Sequence, residues 1–134
     1  MTPVFADASY YVALLSPRDQ HHQDAVRISG ELRRSIVVTE FVLIEVSNAL
    51  ASTESRGRAV ALWTHLRTDP SVSIVPASTE LISNGLDLYA RRPDKAWSLT
   101  DCISFVVMEQ RELTDALTPD HHFEQAGFVA LLKS

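Results

Sequence analysis

Short apolar runs of strand length alternate with longer helical segments along this chain, and that alternation limits the folds open to it. Five runs have the apolar, often β-branched character of short strands, and they cover residues 3–6, 35–38, 72–75, 115–118 and 127–130. The helical segments cover residues 9–15, 19–34, 40 to about 52, 54–68, 78 to about 90 and 101 to about 113. Strands that alternate with helices predict an α/β fold, a three-layer α/β/α sandwich around a central, mainly parallel sheet.

The length of the chain and its single cysteine narrow the class of protein further. A length of 134 residues fits one compact domain over residues 1–134. No apolar run reaches the roughly 18 residues of a membrane span, and the amino terminus lacks the basic and apolar regions of a secretory signal. Cys102 has no second cysteine to pair with, so a reducing cytoplasm is the expected compartment.

The charge balance argues against diffuse attraction to nucleic acid. The formal net charge is −5 and the isoelectric point is about 5.4, so polyanions should be repelled by the molecule as a whole. Ten of the twelve basic residues are arginine, which favours bidentate phosphate recognition at chosen points. Candidates are the pairs Arg33/Arg34, Arg56/Arg58 and Arg91/Arg92, although solvated helix surfaces explain them equally well.

Three acidic residues lie where an α/β fold brings distant segments together. Asp7 ends the first predicted strand, Asp120 follows the fourth, and Asp101 lies in the first turn of the helix between strands three and four. Ligands of open parallel sheets bind beyond the carboxyl ends of the strands. We therefore expect these three carboxylates at one edge of the sheet.

Glu45 differs from the other acids because it lies inside a helical segment among apolar neighbours. We expect its carboxylate to be largely desolvated, and no basic residue lies within a helical turn of it. A buried carboxylate either binds a proton or finds a cation. Oxygen donors without a cysteine or histidine among them favour Mg²⁺ or Mn²⁺ over zinc.

Each acid also has a purely structural explanation. The segment from Ser98 to Asp101 matches a capping box, Asp7 and Asp120 stand where helix N-caps are expected, and Glu45 could face a solvent gap. The pair His121–His122 beside Asp120 suggests a transition-metal site, but adjacent residues rarely bind one ion together. Cys102 has no base near it in sequence and reads as a buried thiol.

Four segments carry a more specific pattern: VFADAS at 4–9, TEF at 39–41 continuing through Glu45 to Leu50, WSLTDC at 97–102 and LTPDHHF at 117–123. In order and spacing they resemble the PIN-domain ribonucleases, and in particular the VapC-like toxins of bacterial and archaeal toxin–antitoxin pairs. The resemblance covers the whole chain, and the segment WSLTDC is the most specific.

The resemblance implies a site, a cofactor and partners. Carried over by position, the acidic metal site falls on Asp7, Glu45, Asp101 and Asp120, with Ser9 and Thr118 as supporting polar residues. It also implies one or two Mg²⁺ or Mn²⁺ ions, an RNA substrate, a homodimer, and an antitoxin that occupies the site or its rim.

The activity expected from the resemblance is metal-assisted hydrolysis of RNA phosphodiester bonds with no covalent enzyme intermediate. Asp7, Glu45 and Asp101 are expected to hold the ion or ions, and Asp120 either to bind a second ion or to orient the water. The main alternative is a catalytically silent PIN-like binding module that acts through a protein partner.

Two other α/β functions fit less well. A receiver-like phosphoacceptor needs paired acids early in the chain and a lysine near the site, whereas this chain has only Asp7 early and Lys133 at its end. A phosphatase with an aspartyl nucleophile needs a second acid close to Asp7, which is also missing.

Overall fold

A computed structural model describes residues 2–132 of the chain, which form five strands and seven helices. The elements are β1 (Val4–Ala6), α1 (Ala8–Leu15), α2 (His22–Glu31), β2 (Ile36–Thr39), α3 (Glu40–Ala49), α4 (Arg56–Thr68), β3 (Val72–Val75), α5 (Thr79–Arg91), α6 (Leu99–Gln110), β4 (Asp115–Leu117), α7 (His121–Gln125) and β5 (Val129–Ala130).

The five strands form one sheet in the order β3-β2-β1-β4-β5, and every pair is parallel. The predicted parallel α/β architecture is therefore confirmed. The chain first moves outward from β1 through β2 to β3, and then crosses back to β4 and β5 on the other side of β1. Right-handed crossovers accordingly place α1–α4 on one face of the sheet and α5–α7 on the other.

The central strand β1 is buried on both faces, which explains its uninterrupted apolar sequence. Val4, Phe5 and Ala6 have no exposed surface, and they belong to a hydrophobic cluster that draws residues from both helical layers. Aromatic side chains pack between α6 and α7, where Phe105 and Phe123 meet edge to face with ring centroids 4.9 Å apart.

Two predicted helices begin later than their sequence patterns suggested. The segment predicted as a helix from residue 19 forms α2 only from His22, because the Asp19 carboxylate accepts the His21 amide at 2.8 Å and closes a turn. The segment predicted from residue 54 forms α4 from Arg56, after a turn in which the Ser52 and Ser55 hydroxyls lie 2.6 Å apart. Side-chain bonds of this kind compete with the first turn of a helix.

None of the helices within residues 2–132 combines the length and the apolar character that a bilayer crossing requires.

The packing of α5 against α6 depends on a glycine. Gly85 is buried in α5, and a Cβ atom built there would overlap Ile103 Cγ1 of α6 and lie 3.3 Å from the Ile103 amide nitrogen. The missing side chain therefore allows close approach of the helix that carries Asp101.

We expect Gly85→Ala to lower the free energy of unfolding by about 1–3 kcal/mol, because the added methyl forces α5 and α6 apart. The matched control is Gly30→Ala in α2, where an added Cβ meets no atom within 4 Å. That change should be neutral or stabilising by up to about 1 kcal/mol. Urea denaturation of both variants measures the difference, and equal effects would contradict this account of the helix pair.

Candidate functional site

The pairing of β1 with β4 brings two polar residues side by side at the carboxyl edge of the sheet. Ala6 lies opposite Leu117, and the Asp7 amide donates to the Leu117 carbonyl at 3.2 Å. The next residues, Asp7 and Thr118, therefore leave the sheet together. The strand order reverses at this pair, which is where open parallel sheets form a crevice beyond their strand ends.

The Asp7 carboxylate is held by two hydroxyl groups. Ser9 Oγ donates to Asp7 Oδ2 at 2.6 Å, and Thr118 Oγ1 donates to the same oxygen at 3.0 Å. Asp7 is only 5% exposed, and Thr118 has no exposed surface. The two hydroxyls thus fix the orientation of a carboxylate that has little access to water, and the supporting role of Ser9 and Thr118 at a metal site stays a prediction.

The same threonine positions the loop that carries Asp120. The Asp120 amide donates to Thr118 Oγ1 at 3.0 Å, so one hydroxyl joins two of the four acids. The Asp120 carboxylate accepts the His122 amide at 2.9 Å and caps α7. The predicted N-cap role of Asp120 is confirmed, and it leaves the carboxylate partly exposed at the same edge of the sheet.

Asp101 enters the site from the start of α6. Ser98 Oγ accepts the Asp101 amide at 3.0 Å, and the Asp101 carboxylate accepts the Ser98 amide at 3.1 Å, which completes the predicted capping box. The same carboxylate oxygen lies 3.3 Å from His122 Nδ1. Capping therefore fixes Asp101 in place without turning it away from the other acids.

Asp7 stands at the N-cap position of α1, but its carboxylate makes no capping bond to that helix's N2 or N3 amide. The capping alternative for Asp7 is thus not confirmed, and its hydroxyl partners account for its position instead.

Glu45 is exposed, so the expectation that burial among apolar neighbours would largely desolvate it is wrong. The neighbours Val42, Leu43 and Val46 face the core of the sandwich, whereas Ile44 and Glu45 lie on the opposite, open side of α3. On a helix, residues adjacent in sequence point about 100° apart, so a run of apolar residues does not surround the acid within it.

The four carboxylates share one electrostatic environment. Burial raises the pKa of Asp7 to about 6, the Ser9 hydrogen bond offsets part of this rise, and the charge of Asp101 adds to it. The pKa of Glu45 rises to about 7, first through partial desolvation of the carboxylate and then through the negative charge of the other three acids. Burial also raises the pKa of Asp101, with a further contribution from Asp120.

Within residues 2–132, no arginine or lysine forms an ion pair with any of the four acids. The raised pKa values of Asp7, Glu45 and Asp101 are therefore those of a negatively charged cluster that, within residues 2–132, has no arginine or lysine paired with it. Carboxylate oxygens on several elements, held by hydroxyls and helix caps, are the donor type that a hard divalent cation prefers. The residues present thus fit a Mg²⁺ or Mn²⁺ ion.

Most of the arginines singled out in the sequence serve local structure. Arg34 pairs with Asp115 at 2.7 Å at the amino ends of β2 and β4, which is the edge of the sheet opposite the acids. Arg56 and Arg58 donate to the backbone carbonyls of Ala51 and Leu15. Lys133, which a receiver-like reaction would need, lies outside the described residues.

The basic segment nearest to the acids along the chain is the loop that precedes α6. Arg92 makes two 3.0 Å bonds to Asp94 and lies over the Trp97 ring at 5.2 Å. Trp97 directly precedes the capping box of Asp101, so this loop ends at the helix that carries Asp101.

The histidines after Asp120 contribute more to the site than the sequence indicated. His122 Nδ1 lies between the carboxylates of Asp101 and Asp120, at 3.3 Å and 3.5 Å. Their position directly after an N-cap residue was the available signal, because the first residues of a helix remain close to its cap.

Comparisons with known proteins agree with this geometry. A sequence profile of the PIN domain matches residues 4–129. The chain is 26% identical over 126 residues to the 23S rRNA-specific endonuclease VapC20 of Mycobacterium tuberculosis. The alignment covers 94% of this chain and 95% of the relative.

Solved structures show the same fold. The crystal structure of the Mycobacterium tuberculosis VapC20, a sarcin-ricin loop cleaving toxin, matches with a TM-score of 0.86 at 25% identity, over 94% of this chain and 96% of that one. DNA-bound VapBC from Salmonella typhimurium matches with a TM-score of 0.65 at 13% identity, over 97% and 96% of the two chains.

We expect Thr118→Val to destabilise the protein by about 1–3 kcal/mol, because it removes one donor to Asp7 and leaves the partly buried Asp120 amide without its acceptor. Urea denaturation measures this change. Thr118→Ser keeps the hydroxyl and serves as the control, so a serine variant that loses as much stability as the valine variant would assign the effect to packing.

The raised pKa of Asp7 predicts a pH-dependent loss of stability in metal-free protein. Below pH 3.8 the carboxyl is neutral in both the folded and the unfolded chain, and between pH 3.8 and about 6 only the unfolded chain loses the proton. Rising pH therefore destabilises the fold, by up to about 3 kcal/mol from this group.

The measurement is the free energy of unfolding of the wild type minus that of Asp7→Asn, followed by urea denaturation from pH 4 to pH 7.5 in EDTA. We expect this difference to fall as the pH rises. Asp87→Asn, on the exposed side of α5, controls for the loss of one carboxyl group, and a difference that stays constant with pH would show that Asp7 ionises normally.

Proposed function

The chain belongs to the PIN domain family, and we propose that it is a metal-dependent endoribonuclease that acts as the toxin of a toxin–antitoxin pair. We further propose that residues 1–134 form a single PIN-like domain. The observation that carries the activity is the set of four acids at the β1–β4 crevice without a compensating arginine or lysine among the described residues. The relative that cleaves 23S rRNA and aligns over nearly the whole chain supports RNA as the substrate.

We propose that Asp7, Glu45 and Asp101 hold one or two Mg²⁺ or Mn²⁺ ions, with Asp120 either binding the second ion or orienting the attacking water. A divalent ion bound there supplies positive charge at the scissile phosphate and lowers the pKa of the attacking water. Ser9 and Thr118 keep Asp7 in one orientation, so the reaction does not have to order this carboxylate.

The chain's own residues also suit the handling of a polyanion. Because the acids repel RNA in the absence of a cation, binding of the substrate should require both the metal and basic groups around the site. We propose that the phosphates of flanking nucleotides are contacted by Arg91, the last residue of α5, and by Arg92 and Lys95 on the loop that follows it. Arg92 is already oriented by Asp94 and Trp97.

An antitoxin is the expected protein partner, since solved structures of the same fold include VapBC complexes.

A homodimer is a further proposal. Ile82, Leu86 and Tyr89 form an exposed apolar stripe on α5, of the kind that protein interfaces bury. The alternative, a catalytically silent binding module, requires no metal. It predicts a protein that does not cleave RNA and that binds its partner equally well with and without EDTA.

Asp101→Asn tests the proposal, because the amide keeps the capping geometry and removes the charge. We expect cleavage of ribosomal RNA in Mg²⁺ to fall by about a hundredfold or more, the scale expected when one catalytic group is lost. Asp7→Asn should behave alike, and EDTA should abolish cleavage by the wild type. Rates are followed by gel electrophoresis of the products.

Thermal melting verifies that each variant is folded, and Asp87→Asn on α5 serves as the matched acidic control that should retain full activity. Full-rate cleavage by folded Asp101→Asn and Asp7→Asn would remove these acids from the mechanism. Folded wild type that cleaves no RNA in Mg²⁺ or Mn²⁺ would favour the binding module.

A further inference from the structure

Two adjacent histidines and two acids converge at the start of α7. His122 Nδ1 lies 3.3 Å from Asp101 Oδ2 and 3.5 Å from Asp120 Oδ1, and His121 Nδ1 lies 3.6 Å from the same Asp120 oxygen. Among the residues that the structure describes, Asp120, His121 and His122 form a group whose ligand-type atoms all lie within 4.8 Å of one another.

These separations match the spacing of ligands around a small tetrahedral ion. Metal–ligand bonds of about 2.0–2.2 Å, as in zinc sites, place neighbouring ligand atoms about 3.3–3.6 Å apart. The three distances fall within this interval, so Asp120, His121 and His122 offer three ligands near one point, and Asp101, which lies outside this group of three, completes the site by a movement of its side chain. Imidazole nitrogen favours Zn²⁺, Co²⁺ and similar ions over Mg²⁺, which prefers oxygen donors.

The backbone at the helix cap explains why consecutive residues point to one place. Asp120 is the N-cap residue and has an extended conformation, whereas His121 begins the helix. The imidazole rings lie with centroids 4.4 Å apart at an angle of 53°, and each presents Nδ1, the ring nitrogen closest to the backbone. The His121 side chain is 60% exposed, which gives an ion access from solvent.

We propose that Asp101, Asp120, His121 and His122 bind Zn²⁺, or a divalent ion with similar affinity for imidazole, and that the bound ion inhibits RNA cleavage. The binding step is independent of the proposed function. The inhibition rests on it, because Asp101 and Asp120 cannot support the Mg²⁺ reaction while they serve as ligands of the other ion.

The binding step is tested by titrating metal-free protein with Co²⁺ and recording the visible d–d absorption of tetrahedral cobalt. We expect the band in the wild type and an affinity at least about tenfold lower in His121→Ala. His65→Ala is the matched control, because His65 is an exposed histidine of α4 whose Nε2 lies 3.7 Å from the carboxylate of Asp69, directly after that helix. This control should bind like the wild type.

The inhibition is tested by measuring RNA cleavage at constant Mg²⁺ and increasing Zn²⁺. For each protein, the rate with Zn²⁺ is divided by the rate of the same protein without Zn²⁺. His121→Ala should need about ten times more Zn²⁺ for half inhibition than the wild type or His65→Ala. Thermal melting confirms that each variant is folded.

Equal cobalt affinity in all three proteins, or no tetrahedral band in the wild type, would overturn the metal site. Binding that depends on His121 but leaves the cleavage ratio unchanged would overturn the inhibition alone. Cobalt binding that depends on His121 in a protein that cleaves no RNA would leave the metal site standing while the proposed nuclease function fails.

Discussion

The parallel pairing of β1 with β4 is the constraint on which the rest of the site depends. The sheet reverses its strand order at this pair, and the register of Ala6 with Leu117 sets Asp7 against Thr118. Because side chains alternate along a strand, a slip of one residue would turn one of these two groups to the other face of the sheet. One threonine hydroxyl then fixes both Asp7 and the amide of Asp120, so the geometry of two acids follows from a single strand pair.

Local patterns in the sequence were sufficient for the fold class and for three of the four acids. Parallel strands have their carboxyl ends at one edge, and Asp7 and Asp120 follow such ends while Asp101 lies in the first turn of the helix that runs back from that edge. The capping box at Ser98 was also recognisable, because it depends on residues only three apart. That these acids belong to a metal site stays a prediction, which rests on their donor chemistry and on the family.

The features that sequence reasoning missed depend on where side chains point. Glu45 has apolar neighbours in sequence, yet the rotation of α3 leaves it on the open side of the helix. His121 and His122 were discounted because neighbouring residues usually diverge, whereas the extended N-cap backbone brings both close to Asp120. Both outcomes are set by the packing of α3 and α7 against the rest of the molecule, which periodicity alone does not encode.

The positions of the acids also explain how such a cluster is tolerated although no arginine or lysine of the described residues pairs with it. Asp7 and Asp120 are N-cap residues of α1 and α7, and Asp101 lies in the first turn of α6, so three of the four carboxylates stand at helix N-termini. The amide dipoles there favour negative charge and offset part of the mutual repulsion. Glu45 lies within α3 and has no such support, and its pKa of about 7 is higher than the value of about 6 for the more deeply buried Asp7. The exposed acid is therefore the one whose ionisation at neutral pH depends most on an added cation.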